Sequence, residues 1–241
     1  MVPPNTPRAL IAETLGTALL LAAIVGSGIM GERLGGGNDA LALLPNTLAT
    51  ATALYVLIAI FAPASGAHFN PAVTLVLRLR GERTPAPWWA YMLAQIAGAI
   101  AGVLLAHAMF DQPLWQAGDR FRTGTGQWIS EGVATFGLLL TILLGACHRP
   151  RALPALVACY IAAAYWFTAS TSFANPAVTL ARSLTCSFAG IRPEDVPGFV
   201  LAQTAGALLA WSVARVLLPR DPWPPLEATA RVSRARAGPD W

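Results

Sequence analysis

The hexapeptide Asn-Pro-Ala-Val-Thr-Leu occurs twice, within "SGAHFNPAVTL" at Asn70 and within "TSFANPAVTLA" at Asn175. These are not the residue types of covalent or acid–base catalysis. An Asn side chain caps a helix N-terminus by accepting from orphaned backbone N–H groups, and Pro is tolerated at the first helical position, where no N–H is needed. Asn70, Pro71 and Ala72, and likewise Asn175, Pro176 and Ala177, therefore each spell the start of a helix. The Asn amide nitrogens remain free to donate to an oxygen. Elsewhere no nucleophile, base and oxyanion donor stand in recognisable order, which argues against an enzyme.

Four more polar residues lie inside apolar surroundings. Glu13 and Glu131 belong to matching stretches, "AETLGTALLL" and "SEGVATFGLLL"; Gln95 and Gln203 belong to "YMLAQIAGA" and "FVLAQTAGA". An ionisable group in an apolar span is a functional suspect, as a proton carrier or as a partner for irregular backbone. Its recurrence at matched positions favours a brace for the Asn-Pro-Ala loops.

The elements that must position these residues are membrane spans. Of 241 residues, 55% are hydrophobic and 12% charged, and the mean hydropathy is +0.54, far more apolar than a soluble globular chain. Six stretches, residues 9–30, 41–62, 88–110, 127–147, 153–168 and 196–218, are expected to cross a bilayer core of about 30 Å. The first could serve as a secretory signal, but its counterpart in the fourth marks it as a span. Cys147, Cys159 and Cys186 have neither metal-ligand nor redox spacing, and no cofactor or metal is expected.

Every basic residue is arginine, and the net charge of +4 is scattered through loops with no nucleic-acid patch. Their bias towards one set of loops predicts both termini in the cytoplasm. The order Glu, Asn-Pro-Ala, Gln runs twice, and each copy holds three spans, so the second copy enters the membrane from the opposite side. The expected organisation is a first repeat over 1–112, an outer loop over 113–126, a second repeat over 127–218 and a mobile cytoplasmic tail over 219–241. The apolar segments after the motifs, 71–80 and 176–184, are too short to cross and read as re-entrant half-helices, which are allowed at membrane depth only beside protein or a watery cavity. Asn70 and Asn175 are then expected to meet at the midplane, at a pore or binding site.

These residues resemble the major intrinsic protein family, the aquaporins and aquaglyceroporins. The resemblance rests on the paired Asn-Pro-Ala boxes, "SGAHFNPAVT", the two Glu and the two Gln, and it covers nearly the whole chain. It implies an all-α membrane protein of six transmembrane helices and two half-helices, one pore per monomer, a homotetramer, and residence in a bacterial inner membrane. Two half-helix N-termini, each equivalent to about half a positive charge, would repel protons and cations and admit neutral solutes with acceptor oxygens.

The resemblance also locates a second constriction at Thr50, Ala163, Ser172 and Val178. Here the sequence departs from the family, because Val178 stands where most members have arginine. Four small or medium uncharged side chains imply a wide filter that passes water and glycerol-like polyols, and the pattern resembles bacterial members associated with uncharged arsenic species. A water-selective pore is the alternative. Gly66, Ala67, His68 and Thr171 are expected to present a ladder of carbonyls, and the His68 side chain either fixes the loop geometry or acts as a protonatable gate, since histidine titrates near neutrality. Arg182, one turn beyond Val178, would guard the outer vestibule or anchor the interface. An ion-coupled transporter would need an acid beside the midplane Asn residues, and the boxes supply none; a structural junction protein would have a closed pore. Gly98 and Gly102, mirrored by Gly206 and Ala210, read as helix-packing positions.

Overall fold

The computed structural model describes residues 6–218; the expected cytoplasmic tail lies outside the described residues. The described residues form eight α-helices in order: α1 Thr6–Gly35, α2 Asp39–Ser65, α3 Pro71–Leu79, α4 Trp88–Met109, α5 Thr125–His148, α6 Leu153–Phe167, α7 Pro176–Arg182 and α8 Val196–Leu217. Among the described residues there is no strand.

Among the described residues five helices, α1, α2, α4, α5 and α8, are long and apolar enough to cross a membrane by length and composition. The sixth expected span, α6, has only 15 residues, or about 22 Å at the α-helical rise. A 3-10 turn over Pro150–Ala152 precedes it and adds about 6 Å, which brings the segment close to the bilayer thickness. Large apolar side chains such as Leu15, Ile60, Leu93 and Leu201 face outward, as expected where lipid or a neighbouring subunit replaces water.

The duplication seen in the sequence is repeated in the packing. Helix α1 lies along α2 and α4, and α5 lies along α6 and α8. Gly98 and Gly102 bring α4 so close to α1 that a Cβ on either would strike the carbonyl of Thr14 or Ala18. Gly206 presses α8 against the Gly132 carbonyl of α5 in the same way. Small residues at such crossings let two backbones meet without an intervening side chain.

The short helices start and stop for local reasons. Asn70 and Asn175 sit in extended conformation with Pro at the next position, and their Oδ1 atoms accept from Ala72 N at 2.9 Å and Ala177 N at 3.0 Å. Helix α7 ends at Arg182, two residues before the expected boundary; Ser183 Oγ donates to Leu180 O at 2.7 Å and occupies a last-turn carbonyl. Each half-helix also packs against the opposite repeat, α3 on α8 and α7 on α4, and the two touch each other.

Candidate functional site

The two Asn-Pro-Ala boxes meet at the centre of the bundle. Asn70 Nδ2 donates to Ala174 O at 2.8 Å, and Asn175 Nδ2 donates to Phe69 O at 2.8 Å. Each amide has two N–H groups, and this exchange uses one from each. Both Asn residues line a narrow internal cavity of about 100 Å³, so the remaining donors are available to its contents.

The loops leading to the boxes are held from behind. Glu13 Oε1 accepts from Ser65 Oγ at 2.6 Å and His68 N at 3.0 Å, while Oε2 accepts from Phe69 N and Gln95 Nε2, both at 2.8 Å. In the second repeat, Glu131 accepts from Phe173 N at 2.8 Å, Ala174 N at 2.9 Å and Gln203 Nε2 at 2.6 Å. Gln95 and Gln203 also donate to Thr74 and Thr179 in the half-helices. The geometry is that of a brace: all four Glu and Gln side chains are fully buried, and both carboxylates are engaged by the loops.

Matched strain accompanies the matched braces. Gly66, Ala67 and Phe69 have positive φ, and so do Thr171, Ser172 and Ala174 at the corresponding positions of the second loop. Non-glycine residues in this region cost on the order of 1–3 kcal/mol each and persist only where the surroundings hold them. The carboxylates supply that hold by fixing the adjacent N–H groups.

Gly66, Ala67 and His68 border the cavity, as do Thr50, Ser172 and Val178. His68 Nδ1 lies 3.0 Å from Thr74 Oγ1, and its ring is tilted 5.1 Å from Tyr91. Two expected residues sit elsewhere. Thr171 borders a separate recess of about 490 Å³ with Asp39, Arg120 and Arg122. Ala163 is exposed on the outside of α6, and its place is taken by Ile161 and Tyr165, which line the cavity. Two helical residues differ by about 200°, so a two-position offset turns a lining residue into an outer one.

Three further side chains stand at this level, and two of them, Tyr165 and Arg122, escape a reading of sequence. Tyr165 Oη donates to Thr50 Oγ1 at 3.2 Å and links α6 to α2. Arg182, although Val178 occupies the position after the box, lines the same cavity from the last turn of α7. Arg122 dips inward from the loop between α4 and α5: its guanidinium donates to Gly190 O at 2.7 Å, Ser170 O at 3.0 Å and Phe188 O at 3.2 Å. The sequence offers only an arginine among loop arginines; its inward path depends on how the loop is laid over the bundle. Among the described residues, no cluster of His, Cys, Asp and Glu could hold a metal ion.

Comparison with known proteins agrees with this architecture. The family model described as Major intrinsic protein matches residues 2–167. The chain is 58% identical over 211 residues to Aquaglyceroporin AqpS of Rhizobium meliloti (strain 1021), covering 88% of this chain and 90% of that one. It is 33% identical over 144 residues to Probable aquaporin TIP1-2 of Oryza sativa subsp. japonica, covering 58% and 57% of the two chains. The solved aquaglyceroporin from Plasmodium falciparum shares the fold, with a TM-score of 0.66 over 88% of this chain and 97% of that one, at 19% identity. With paired boxes, inverted repeats and a near full-length relative, the chain belongs to the major intrinsic protein family.

Proposed function

We propose that the protein is a passive transmembrane channel for water and small neutral solutes of glycerol size, uncharged arsenic species among them. The observation that carries this reading is the meeting of Asn70 and Asn175 on one cavity, each with an amide donor left over. A neutral molecule bearing an acceptor oxygen satisfies those donors. A cation meets positive half-helix ends from two directions and has no acid there to compensate it. The solute class also follows the name of the Rhizobium relative.

In this reading Glu13 and Glu131 with Gln95 and Gln203 hold the loops. Thr50, Tyr165, Ser172 and Val178 form the outer constriction, and backbone carbonyls near Gly66, Ala67 and His68 receive donors from the solute. Exposed apolar faces suit a homotetramer in an inner membrane with both termini cytoplasmic.

Stopped-flow light scattering of proteoliposomes, challenged in parallel with an impermeant osmolyte and with glycerol, tests the proposal. Fast water flow accompanied by glycerol entry is the expected result. Water flow alone would make the pore water-selective, and neither flow would remove the channel reading.

A further inference from the structure

Among the described residues Arg182 is the largest fully buried side chain, at 1% exposure. Its Nε donates to Ala189 O, and its guanidinium carbon stands 3.3 Å from the centre of the Phe173 ring. That ring and that carbonyl fix the group in place. Nη1 and Nη2 have no hydrogen-bond partner, although Arg182 lines the central cavity. Ser172 is also buried on this cavity, and its Oγ is likewise without a partner. Unmet buried donors of this kind are rare in proteins, and each calls for something to meet it.

The charge of Arg182 is unmet as well. The described ion pairs join Arg80 to Glu82, Arg120 to Glu32 and Arg192 to Asp195; neither Arg122 nor Arg182 belongs to one. Arg122 lies 4.9 Å from the same Phe173 ring, but its guanidinium is committed to the carbonyls of Ser170, Phe188 and Gly190. Arg182 alone of the two has both terminal nitrogens to offer. A buried guanidinium without a counter-charge is costly, and a planar fork of N–H groups matches the two oxygens of a carboxylate.

We infer that Arg182 and Ser172 form a docking site for a small carboxylate or like oxyanion in the central cavity. Val178 leaves the position after the box without charge, and Arg182 returns a guanidinium to the cavity from the next turn of α7. In the neighbouring recess Arg120 is paired with Glu32 and Asp39 stands beside Arg122, so the positive charge left without an acid partner is that of Arg182 in the cavity. The narrow cavity limits the ligand to a few heavy atoms. A docked anion would occupy the route that the proposed neutral solutes use, so the inference deepens that reading, yet its binding measurement stands apart from it.

The test uses acetate and its neutral isostere acetamide. Binding to the purified full-length protein in detergent is followed by ligand-observed NMR, and inhibition of glycerol entry is followed in proteoliposomes. Acetate should bind at least tenfold more tightly than acetamide, with Arg182→Gln abolishing the preference and Arg182→Lys, which keeps the charge but not the fork, reducing it. Equal binding of the two ligands by the unaltered protein, or an undiminished preference in Arg182→Gln, would overturn the inference. If Arg182→Gln does not yield a monodisperse protein, Arg182→Lys carries the same decision. Acetate preference without any glycerol entry would leave this site standing and refute the channel reading for polyols; glycerol entry without acetate preference would do the reverse.

Discussion

Tyr165 and Thr50 come from different helices, α6 and α2, and meet through a hydroxyl-to-hydroxyl hydrogen bond of 3.2 Å beside the cavity. An aromatic ring thus stands at the level where the sequence offers only small side chains. Replacing Tyr165 by Ala should raise glycerol permeability relative to water several-fold, because a ring is removed from the wall. Tyr165→Phe keeps the ring and loses one hydrogen bond of about 1 kcal/mol, and should leave the solute ratio close to that of the unaltered protein. Parallel water and glycerol flux measurements distinguish the two variants.

Val178→Arg should reduce glycerol entry more than water flow, since the larger side chain projects into the same cavity. It should also lower the unfolding temperature in detergent. Arg182 is four residues on, and like charges at that spacing repel. Equal loss of both flows would mean that position 178 does not set the opening.

Glu131→Gln tests the brace. The substitution turns an acceptor into an NH₂ group that must face Ala174 N, Phe173 N or Gln203 Nε2. Leaving one buried donor unsatisfied costs about 1–3 kcal/mol. The expected outcome is a folded protein of lower thermal stability with greatly reduced permeability to both solutes. Full flux in this variant would show that the loop keeps its shape without the carboxylate.

Membrane orientation has a chemical reporter in Cys186, an exposed thiol in the connection between α7 and α8. With cytoplasmic termini, this connection faces outward, so a membrane-impermeant maleimide should label Cys186 in intact spheroplasts. Partial burial, and then the neighbouring Asp119 carboxylate, push the thiol above its usual range. The thiolate is the reactive form, so labelling should be slow near neutrality and accelerate as pH rises. Labelling only after the membrane is opened would reverse the assigned orientation.

The half-helices were legible because Asn followed by Pro is a local instruction, and local capping chemistry survives in the fold unchanged. Glu13 and Glu131 were legible for a different reason, since duplication made a pair out of residues that singly mean little. Tyr165 was not, because its orientation depends on the rotation of α6, which has few polar markers to set its phase. Arg122 was hidden further still: its carbonyl partners, Ser170, Phe188 and Gly190, are up to 68 residues away. Arg182 is legible as a neighbour of Val178, but its unmet nitrogens appear only when the fold supplies its surroundings.

The paired carboxylate braces bear on energetics as well as shape. A loop whose N–H groups are fixed to a buried acid, in each of two opposed copies, has no second arrangement of comparable stability to visit. Passage along it would then need no cycle of opening and closing, so its thermal activation should stay near that of diffusion in water. Reversing the gradient should reverse the flow without a lag.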